Sequence, residues 1–148
     1  MGNEGHILIS LTPRHAANIF AGSKTVELRR RTMRIESGTT AWIYVKLPIG
    51  AIIGHVKVKA VHELSPATIW RRFGTVSGLS KAELFDYFEG ITKGVVLELG
   101  PSQQLQNTLS LKTLRAVSSN FQPPQFFTHL ADNNPVLIAV TSELEKTV

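Results

Sequence analysis

Hydrophobic and polar positions along the chain predict short strands interspersed with short helices. Continuous or alternating apolar runs are typical of strands, whereas apolar residues three or four positions apart are typical of helices. Strands are predicted at residues 6–11, 24–31, 41–47, 51–62 and 94–100, and helices after Thr12, Ser65, Ser80 and Ser110. Because strands and helices do not alternate regularly, the pattern favours an α+β fold, a small mixed or antiparallel β-barrel with peripheral α-helices.

Capping and turn residues fix several of these boundaries. Thr12 followed by Pro13 is typical of a helix N-cap and first helical position, and Ser80 with Glu83 has the spacing of a capping box. Gly54 interrupts the longest β-rich run, which indicates a bulge or bend of the kind found where a sheet closes.

Two segments stay ambiguous on sequence alone. The polar stretch Gln103–Thr108 is either a loop or a paired edge strand, and Pro135–Leu144 is modestly apolar without a clear period. Pro123 and Pro124 exclude regular helix around them, because proline lacks a donor and fixes the chain. Without an internal repeat or a linker, residues 1–148 are interpreted as one domain.

The segment from Gly22 to Arg31 is the most informative stretch of the chain. In strand geometry, Val26 and Leu28 face a core. The opposite face carries a hydroxyl, a carboxylate and two guanidinium groups, those of Thr25, Glu27, Arg29 and Arg31. Two interpretations remain open: a solvated face whose ion pairs each contribute about 0–1 kcal/mol, or a site in which the carboxylate fixes the arginines and does acid–base work.

The basic residues are concentrated in the first half of the chain, whose overall net charge is +5. Up to Arg72 there are 11 Lys and Arg against 4 Asp and Glu, and from Phe73 onward there are 5 against 7. This asymmetry predicts one electropositive surface, which favours a polyanionic partner, nucleic acid before an acidic membrane. A basic protein without a specific polyanionic partner is the alternative.

Trp42, Tyr44 and Lys46 share one face of the strand that is predicted to lie near the charged one. An aromatic side chain beside a cation can stack on a base while the cation holds a phosphate. Core packing is the alternative for both aromatic residues. It is the favoured interpretation for Trp42, whereas for Tyr44 the pattern leaves both open.

The composition excludes several kinds of site. There is no cysteine, so thiolate metal sites, disulfides and a cysteine nucleophile are excluded. The histidines lack carboxylates at ligand spacing and no phosphate-binding loop occurs, so neither a metal nor another cofactor is expected. No apolar run is long enough to span a bilayer, and a cytoplasmic protein without a membrane partner is expected.

Several segments follow one another in a recognisable order: Leu8–Leu11, Phe20–Arg29, Trp42–Tyr44, Pro48–Gly54, Tyr87–Gly90 and Pro123–Phe126. This series resembles the ASCH domain family (activating signal cointegrator homology) of the PUA-like superfamily over about residues 6–130. The resemblance implies a PUA-like β-barrel with a cleft lined by Lys24, Glu27 and Arg29, an RNA-related function, and a C-terminal extension over residues 131–148.

The resemblance also raises hydrolytic alternatives. One branch is similar to an amidohydrolase of acetylated cytidine, and Lys24 matches its lysine, but Glu27 replaces its nucleophilic threonine. A ribonuclease-type activity is proposed for some members of the family, and relatives often have a lysine where this chain has Gly50 and a serine where it has Phe126, although Tyr44 remains. These departures weaken a transfer of either catalytic site.

We therefore expect a protein that binds RNA or a nucleotide in a basic cleft. The residues expected to contact nucleic acid are Lys24, Thr25, Glu27, Arg29, Arg31, Tyr44 and Lys46. The first alternative is a hydrolase of RNA or of a modified nucleoside, with Glu27 as general base and Lys24 stabilising an oxyanion. The second is a ligand-sensing regulator of transcription or translation. The oligomeric state stays open.

Overall fold

A computed structural model describes residues 5–147 as a single mixed sheet surrounded by helices. The strands are β1 (His6–Leu11), β2 (Val26–Arg29), β3 (Thr40–Val45), β4 (Ala51–Leu64), β5 (Gly94–Ser110) and β6 (Phe127–Leu130). The helices are α1 (Pro13–Ala21), α2 (Pro66–Phe73), α3 (Lys81–Tyr87), α4 (Leu111–Val117) and α5 (Pro135–Thr147). A 3₁₀ turn, Gly74–Val76, follows α2. The outermost residues of the predicted domain, 1–4 and 148, lie outside the described residues.

The six strands lie in the order β2-β5-β4-β3-β1-β6. β1 and β3 are parallel, and the other four neighbouring pairs are antiparallel. The sheet curls into a half-barrel, and Arg29 at the end of β2 donates a hydrogen bond of 3.4 Å to the backbone oxygen of Ser10 in β1. The prediction of a small mixed barrel with peripheral helices is confirmed in this form.

Three apolar clusters stabilise the fold. The first fills the concave side of the sheet and includes side chains of β1, β3, β4, β5 and α1. The second packs the outer side of β1, β3 and β4 against α4 and α5. The third packs β2 and β5 against α2 and α3. Helices thus cover both faces of β3, whereas β2 has one covered face and one that faces the open seam of the half-barrel.

The predicted caps are confirmed. The Thr12 hydroxyl accepts a hydrogen bond from the backbone N–H of His15, and Ser80 and Glu83 form a reciprocal capping box. The register of β3 and β4 shifts beside Gly54, where an added Cβ would lie 2.4 Å from the backbone oxygen of Gln103. Gly54 therefore allows the close approach of two strands at a bulge.

The structure resolves the ambiguous segments. Gln103–Thr108 is part of β5, which extends to Ser110 and pairs with β4. Pro135–Leu144 belongs to α5, whose Val136, Leu137 and Val140 are buried against the outer side of the sheet. β6, which was not predicted, is a four-residue edge strand paired with β1.

Candidate functional site

A cleft of about 210 Å³ opens at the seam of the half-barrel, where β2 curls towards β1 and the start of α1. It is lined by Ser10, Leu11, Thr12, His15, Lys24, Glu27, Leu28, Arg29, Lys46, Leu79, Glu83 and Tyr87. The lining therefore combines cations, carboxylates, hydroxyls and one imidazole. We call this cavity the seam cleft.

An ion network forms the floor of the seam cleft. Glu27 accepts a hydrogen bond of 3.0 Å from Nε of Arg29 on its Oε2, and its Oε1 lies 3.6 Å from Nζ of Lys24. Lys24 is 2% exposed, and its Nζ also donates to the backbone oxygen of Ser77. Both carboxylate oxygens are thus engaged by cations, which fixes Arg29 beside the cleft.

The local backbone explains why Lys24 and Glu27 meet. β2 begins only at Val26, and the preceding residues follow the C-terminal end of α1, where Gly22 adopts a positive φ of 87°. Lys24 therefore does not follow strand alternation, and its stem packs against Gly78 in the loop that follows α2. The predicted alternation is confirmed from Val26 onward, because Val26 and Leu28 are buried in the third apolar cluster.

Thr25 departs from the expected arrangement. Its backbone N–H donates to the oxygen of Val76, its side chain is exposed, and it lines a different cavity together with Leu99 and Pro101. The expectation that Thr25 shares the face of Glu27 is therefore wrong. The reason is that the regular strand starts one residue later.

Burial lowers the pKa of the Lys24 ammonium, and the neighbouring Glu27 carboxylate opposes this by favouring the charged form. The carboxylate is therefore the principal group that compensates the buried charge. Loss of Glu27 would leave both Lys24 and Arg29 without their anionic partner.

His15 lies in the first turn of α1 and lines the seam cleft. Burial lowers the pKa of its imidazole, with a further contribution from the positive charge of Lys24. Its Nδ1 is buried without a hydrogen-bond partner. The cleft therefore presents a neutral imidazole near pH 7 beside a helix N-terminus, which favours negative charge.

The outer rim of the cleft contains a second carboxylate. Glu83 accepts hydrogen bonds from both terminal guanidinium nitrogens of Arg14, at 2.7 and 2.9 Å, and one from the backbone of Ser80. These contacts lower the pKa of Glu83 to about 2. Tyr87 completes the rim, and its hydroxyl donates a 3.1 Å hydrogen bond to the oxygen of Leu28.

Tyr44 and Lys46, which were predicted to share one face of a strand, lie in different environments. Lys46, one residue beyond β3, is exposed and lines the seam cleft. Tyr44 is 2% exposed and packs in the second apolar cluster, 6.3 Å from the ring of Phe121. The hypothesis that Tyr44 stacks on a base is therefore wrong, because α4 and α5 cover that face. Trp42 is buried in the same cluster, in agreement with the core packing that the sequence pattern favoured.

Gly50 and Phe126, the two positions at which the family resemblance indicated departures, also lie outside the seam cleft. Gly50 has a positive φ of 59°, and an added Cβ there would lie 3.7 Å from the Tyr44 hydroxyl. Phe126 is half-exposed and lines a neighbouring cavity together with Arg31. Arg31 therefore does not join Glu27 and Arg29 in the seam cleft, although it lies close to it.

Sequence reasoning missed His15, Tyr87, Ser10 and Glu83 as cleft residues. The position of His15, three residues after the N-cap Thr12, was the one available signal, because it places the side chain at the exposed start of a helix. The others come from distant parts of the chain, and their convergence depends on how the sheet curls. Among residues 5–147, no group of three or more potential metal-ligating side chains was found.

No helix within the described part of the chain has the length and hydrophobicity that a bilayer span requires.

Comparisons with known proteins agree with this architecture. The family model of a domain of unknown function, DUF365, matches residues 7–122. An ASCH domain-containing ribonuclease from Zymomonas mobilis is 35% identical over 139 residues, which are 93% of each chain. A crystal structure of an ASCH protein from Zymomonas mobilis has a TM-score of 0.84 at 33% identity, and the match covers 95% of this chain and 94% of that one.

A more distant neighbour is the human THYN1 protein, solved in complex with DNA that contains 5-methylcytosine. It is 10% identical with a TM-score of 0.59, and the match covers 95% of this chain and 98% of that one, so it supports the fold alone. The extent of the DUF365 match and the identity to the Zymomonas mobilis protein are sufficient to assign the family. The chain belongs to the ASCH domain family.

Proposed function

We propose that this protein binds RNA, with a phosphate seated in the seam cleft against Arg29 and Lys46. The observation that carries the proposal is the Lys24–Glu27–Arg29 network, which holds a guanidinium in a fixed position beside the N-terminus of α1. A fixed guanidinium and a helix N-terminus both favour a phosphate oxygen.

The charge of the lining supports a polyanion. Three cations, Lys24, Arg29 and Lys46, face the cleft with two carboxylates. One of these, Glu83, is paired with Arg14. The other, Glu27, is paired with Lys24 and Arg29. Lys24 is too buried to act as a surface contact, so its role is to position Glu27, while Arg29 and Lys46 meet the ligand.

The name of a relative points in the same direction. The Zymomonas mobilis protein with 35% identity is named a ribonuclease, so RNA is favoured over DNA as the polyanion.

Salt-dependent binding of a uridine homopolymer tests this proposal. Each phosphate neutralised contributes about −0.7 to the slope of log affinity against log salt for single strands. We expect Arg29→Gln and Lys46→Gln each to weaken binding and to reduce that slope by about 0.7. Lys112→Gln, an exposed position on α4 away from the cleft, is the matched control and should change neither. Affinity that does not depend on salt in the native protein would rule out the electrostatic basis of the proposal.

A ribonuclease is the second candidate function, because the imidazole of His15 lines the seam cleft and its lowered pKa favours the neutral form that a general base needs. A neutral His15 could accept the proton of a ribose 2′-hydroxyl as its oxygen attacks phosphorus, while Arg29 stabilises the phosphate charge and the departing 5′-oxygen takes a proton from water. Glu27, the general base suggested by the sequence, has both oxygens engaged by cations. His15 is therefore the better-placed base.

Cleavage of a uridine homopolymer tests this second candidate. If His15 is the base, His15→Gln should reduce turnover by about 10²–10⁴-fold while RNA affinity changes little. The variant Glu27→Gln tests the hypothesis from the sequence, in which Glu27 is the general base. It removes the basicity of that carboxylate and keeps a hydrogen-bond acceptor for Arg29. A protein that binds the homopolymer and cleaves it no faster than buffer would leave binding as the function.

The remaining alternatives have less support. The amidohydrolase hypothesis needs a nucleophilic hydroxyl beside the Lys24 ammonium. That ammonium lies beside Glu27 and donates to the backbone oxygen of Ser77, whereas Thr25 does not line the seam cleft and the Ser10 hydroxyl donates to the oxygen of Pro124 at 2.7 Å. The alternative that this protein is a ligand-sensing regulator of transcription or translation stays a prediction.

A further inference from the structure

A second cavity, of about 420 Å³, adjoins the seam cleft. It is lined by Arg29, Arg30, Arg31, Thr32, Met33, Tyr87, Gln125, Phe126 and Phe127. Arg29 and Tyr87 line both cavities, so these two side chains form the boundary between them. The two cavities are therefore adjacent, as two subsites for successive residues of one ligand must be.

The chemistry of the second cavity differs from that of the seam cleft. Phe126 is 50% exposed, although it is a large apolar side chain, and the guanidinium of Arg31 lies 5.4 Å from its ring centroid. Bases of single-stranded RNA are typically bound by stacking on aromatic rings or on guanidinium planes. Phe126 with Arg31 thus supplies the stacking platform that Tyr44, buried in the core, does not.

The charges and hydrogen-bonding groups of this cavity also match a nucleotide. Its lining contains three arginines and no carboxylate. One of them, Arg30, is held in place because its guanidinium donates to the backbone oxygens of Tyr87 and Glu89, at 2.6 and 2.9 Å. The amide of Gln125, which lines the cavity, has both a donor and an acceptor for a base edge.

The sizes of the two cavities suggest a division of roles. Ligand pockets typically measure about 300–1,000 Å³, a range that includes the second cavity at about 420 Å³ but not the seam cleft at about 210 Å³. The seam cleft suits a phosphate with part of a ribose, whereas the larger cavity has room for a base.

We propose that the second cavity is a subsite for the neighbouring nucleotide of a single-stranded RNA, whose base stacks on Phe126 and Arg31. The inference rests on the proposed RNA binding at the seam cleft. It adds that affinity depends on strand length and on the ring of Phe126. A base at this subsite would follow a phosphate held by Arg29, the residue that the two cavities share.

Binding of a uridine mononucleotide, dinucleotide and hexanucleotide tests the subsite. We expect the native protein to bind the longer probes more tightly than the mononucleotide. Phe126→Ala should weaken hexanucleotide binding by about 5- to 150-fold, the change expected for loss of one stacked base, and leave mononucleotide binding unchanged. Phe85→Ala removes another partly exposed phenylalanine, on α3, and is the matched control. It should affect neither probe.

A second variant tests the guanidinium of the stacking pair. Arg31→Gln should weaken binding of the hexanucleotide and leave binding of the mononucleotide unchanged. Melting temperatures of all variants should stay near the native value, because both side chains are on the surface.

The possible results separate this inference from the proposed function. Native protein that binds all three probes equally well, or a Phe126→Ala variant that keeps full hexanucleotide affinity, would overturn the subsite and leave the seam cleft intact. Equal weakening of mononucleotide and hexanucleotide by Phe126→Ala would place the ring at the first nucleotide, which also overturns the inference. Absence of binding to every probe would overturn both proposals.

Discussion

The strands β2 and β3 both carry polar or aromatic side chains at alternate positions, yet only β2 presents them to a cleft. In β2, Val26 and Leu28 pack against α2 and α3, while Glu27 and Arg29 face the seam. In β3, all six residues are buried. The same alternation therefore places side chains in a cleft in β2 and in the core in β3.

The difference depends on position in the sheet. β2 is an edge strand at the open seam, so its second face meets the cleft. β3 lies inside the sheet between β4 and β1, and α4 and α5 cover its outer face. Alternation in a sequence identifies which residues share a face, but whether that face is covered depends on elements that are far away in the chain.

The largest effect that would test this comparison is expected at Tyr44. Tyr44→Ala should lower the free energy of unfolding by about 3–5 kcal/mol, because it leaves a cavity among the side chains of α4, α5 and β3. Denaturant unfolding measures this loss directly. Tyr87→Ala, which truncates a tyrosine that is 37% exposed, is the control and should cost clearly less. A Tyr44→Ala protein with native stability and impaired RNA binding would contradict the core assignment.

A somewhat smaller effect is expected at Glu27, the charged counterpart on β2. Glu27→Ala leaves the buried Lys24 ammonium without its anion and should lower the free energy of unfolding by about 3 kcal/mol. Adding Lys24→Met should recover part of that loss, because the uncompensated buried charge is then removed.

The control for Glu27 is an exposed ion pair at the rim of the same cleft. Glu83→Gln removes the charge that pairs with Arg14 and keeps an acceptor for the capping hydrogen bond from Ser80, and both side chains are exposed, so only a small change in unfolding free energy is expected. Equal destabilisation by Glu27→Ala and Glu83→Gln, or no recovery in the double variant, would show that Glu27 does not compensate a buried charge.

Local signals in the sequence were sufficient for the elements whose boundaries are set within a few residues. Thr12, Pro13 and Gly22 define α1, and Ser80 with Glu83 defines the start of α3, because caps are local hydrogen bonds. The apolar run 6–11 predicted β1 with the bounds that the structure has. The family resemblance pointed to Lys24, Glu27 and Arg29, and these three residues line the seam cleft.

The features that local patterns did not predict depend on long-range contacts. The polar residues Gln103–Thr108 continue as strand because β4 supplies a pairing partner, and β6 forms only against β1. The burial of Tyr44 depends on α4 and α5. Thr25 and Arg31 lie outside the cleft because the regular strand is only four residues long. Each depends on contacts between residues that are distant in sequence.

The smallest effect concerns the pH dependence of RNA binding at the cleft. The pKa of His15 lies below its ordinary value, because of burial and the charge of Lys24, with Arg14 adding to the lowering and Glu27 and Glu83 opposing it. A phosphate bound nearby favours the imidazolium, so binding takes up a proton and affinity should rise as the pH falls. Between pH 7.5 and 5.5 we therefore expect the affinity for a uridine homopolymer to rise.

His15→Gln should abolish most of this gain, whereas His129→Gln, an exposed histidine on β6, should leave it intact. The sign for the protein alone is opposite. A histidine whose folded-state pKa is lowered binds protons more readily when the chain unfolds, so its contribution to stability is lost as the pH falls below its ordinary value of about 6.5. Acidification should therefore weaken the free fold while it strengthens the complex. RNA affinity that is unchanged or falls on acidification in the native protein would mean that no phosphate lies close to His15, and it would move the bound RNA away from the N-terminus of α1.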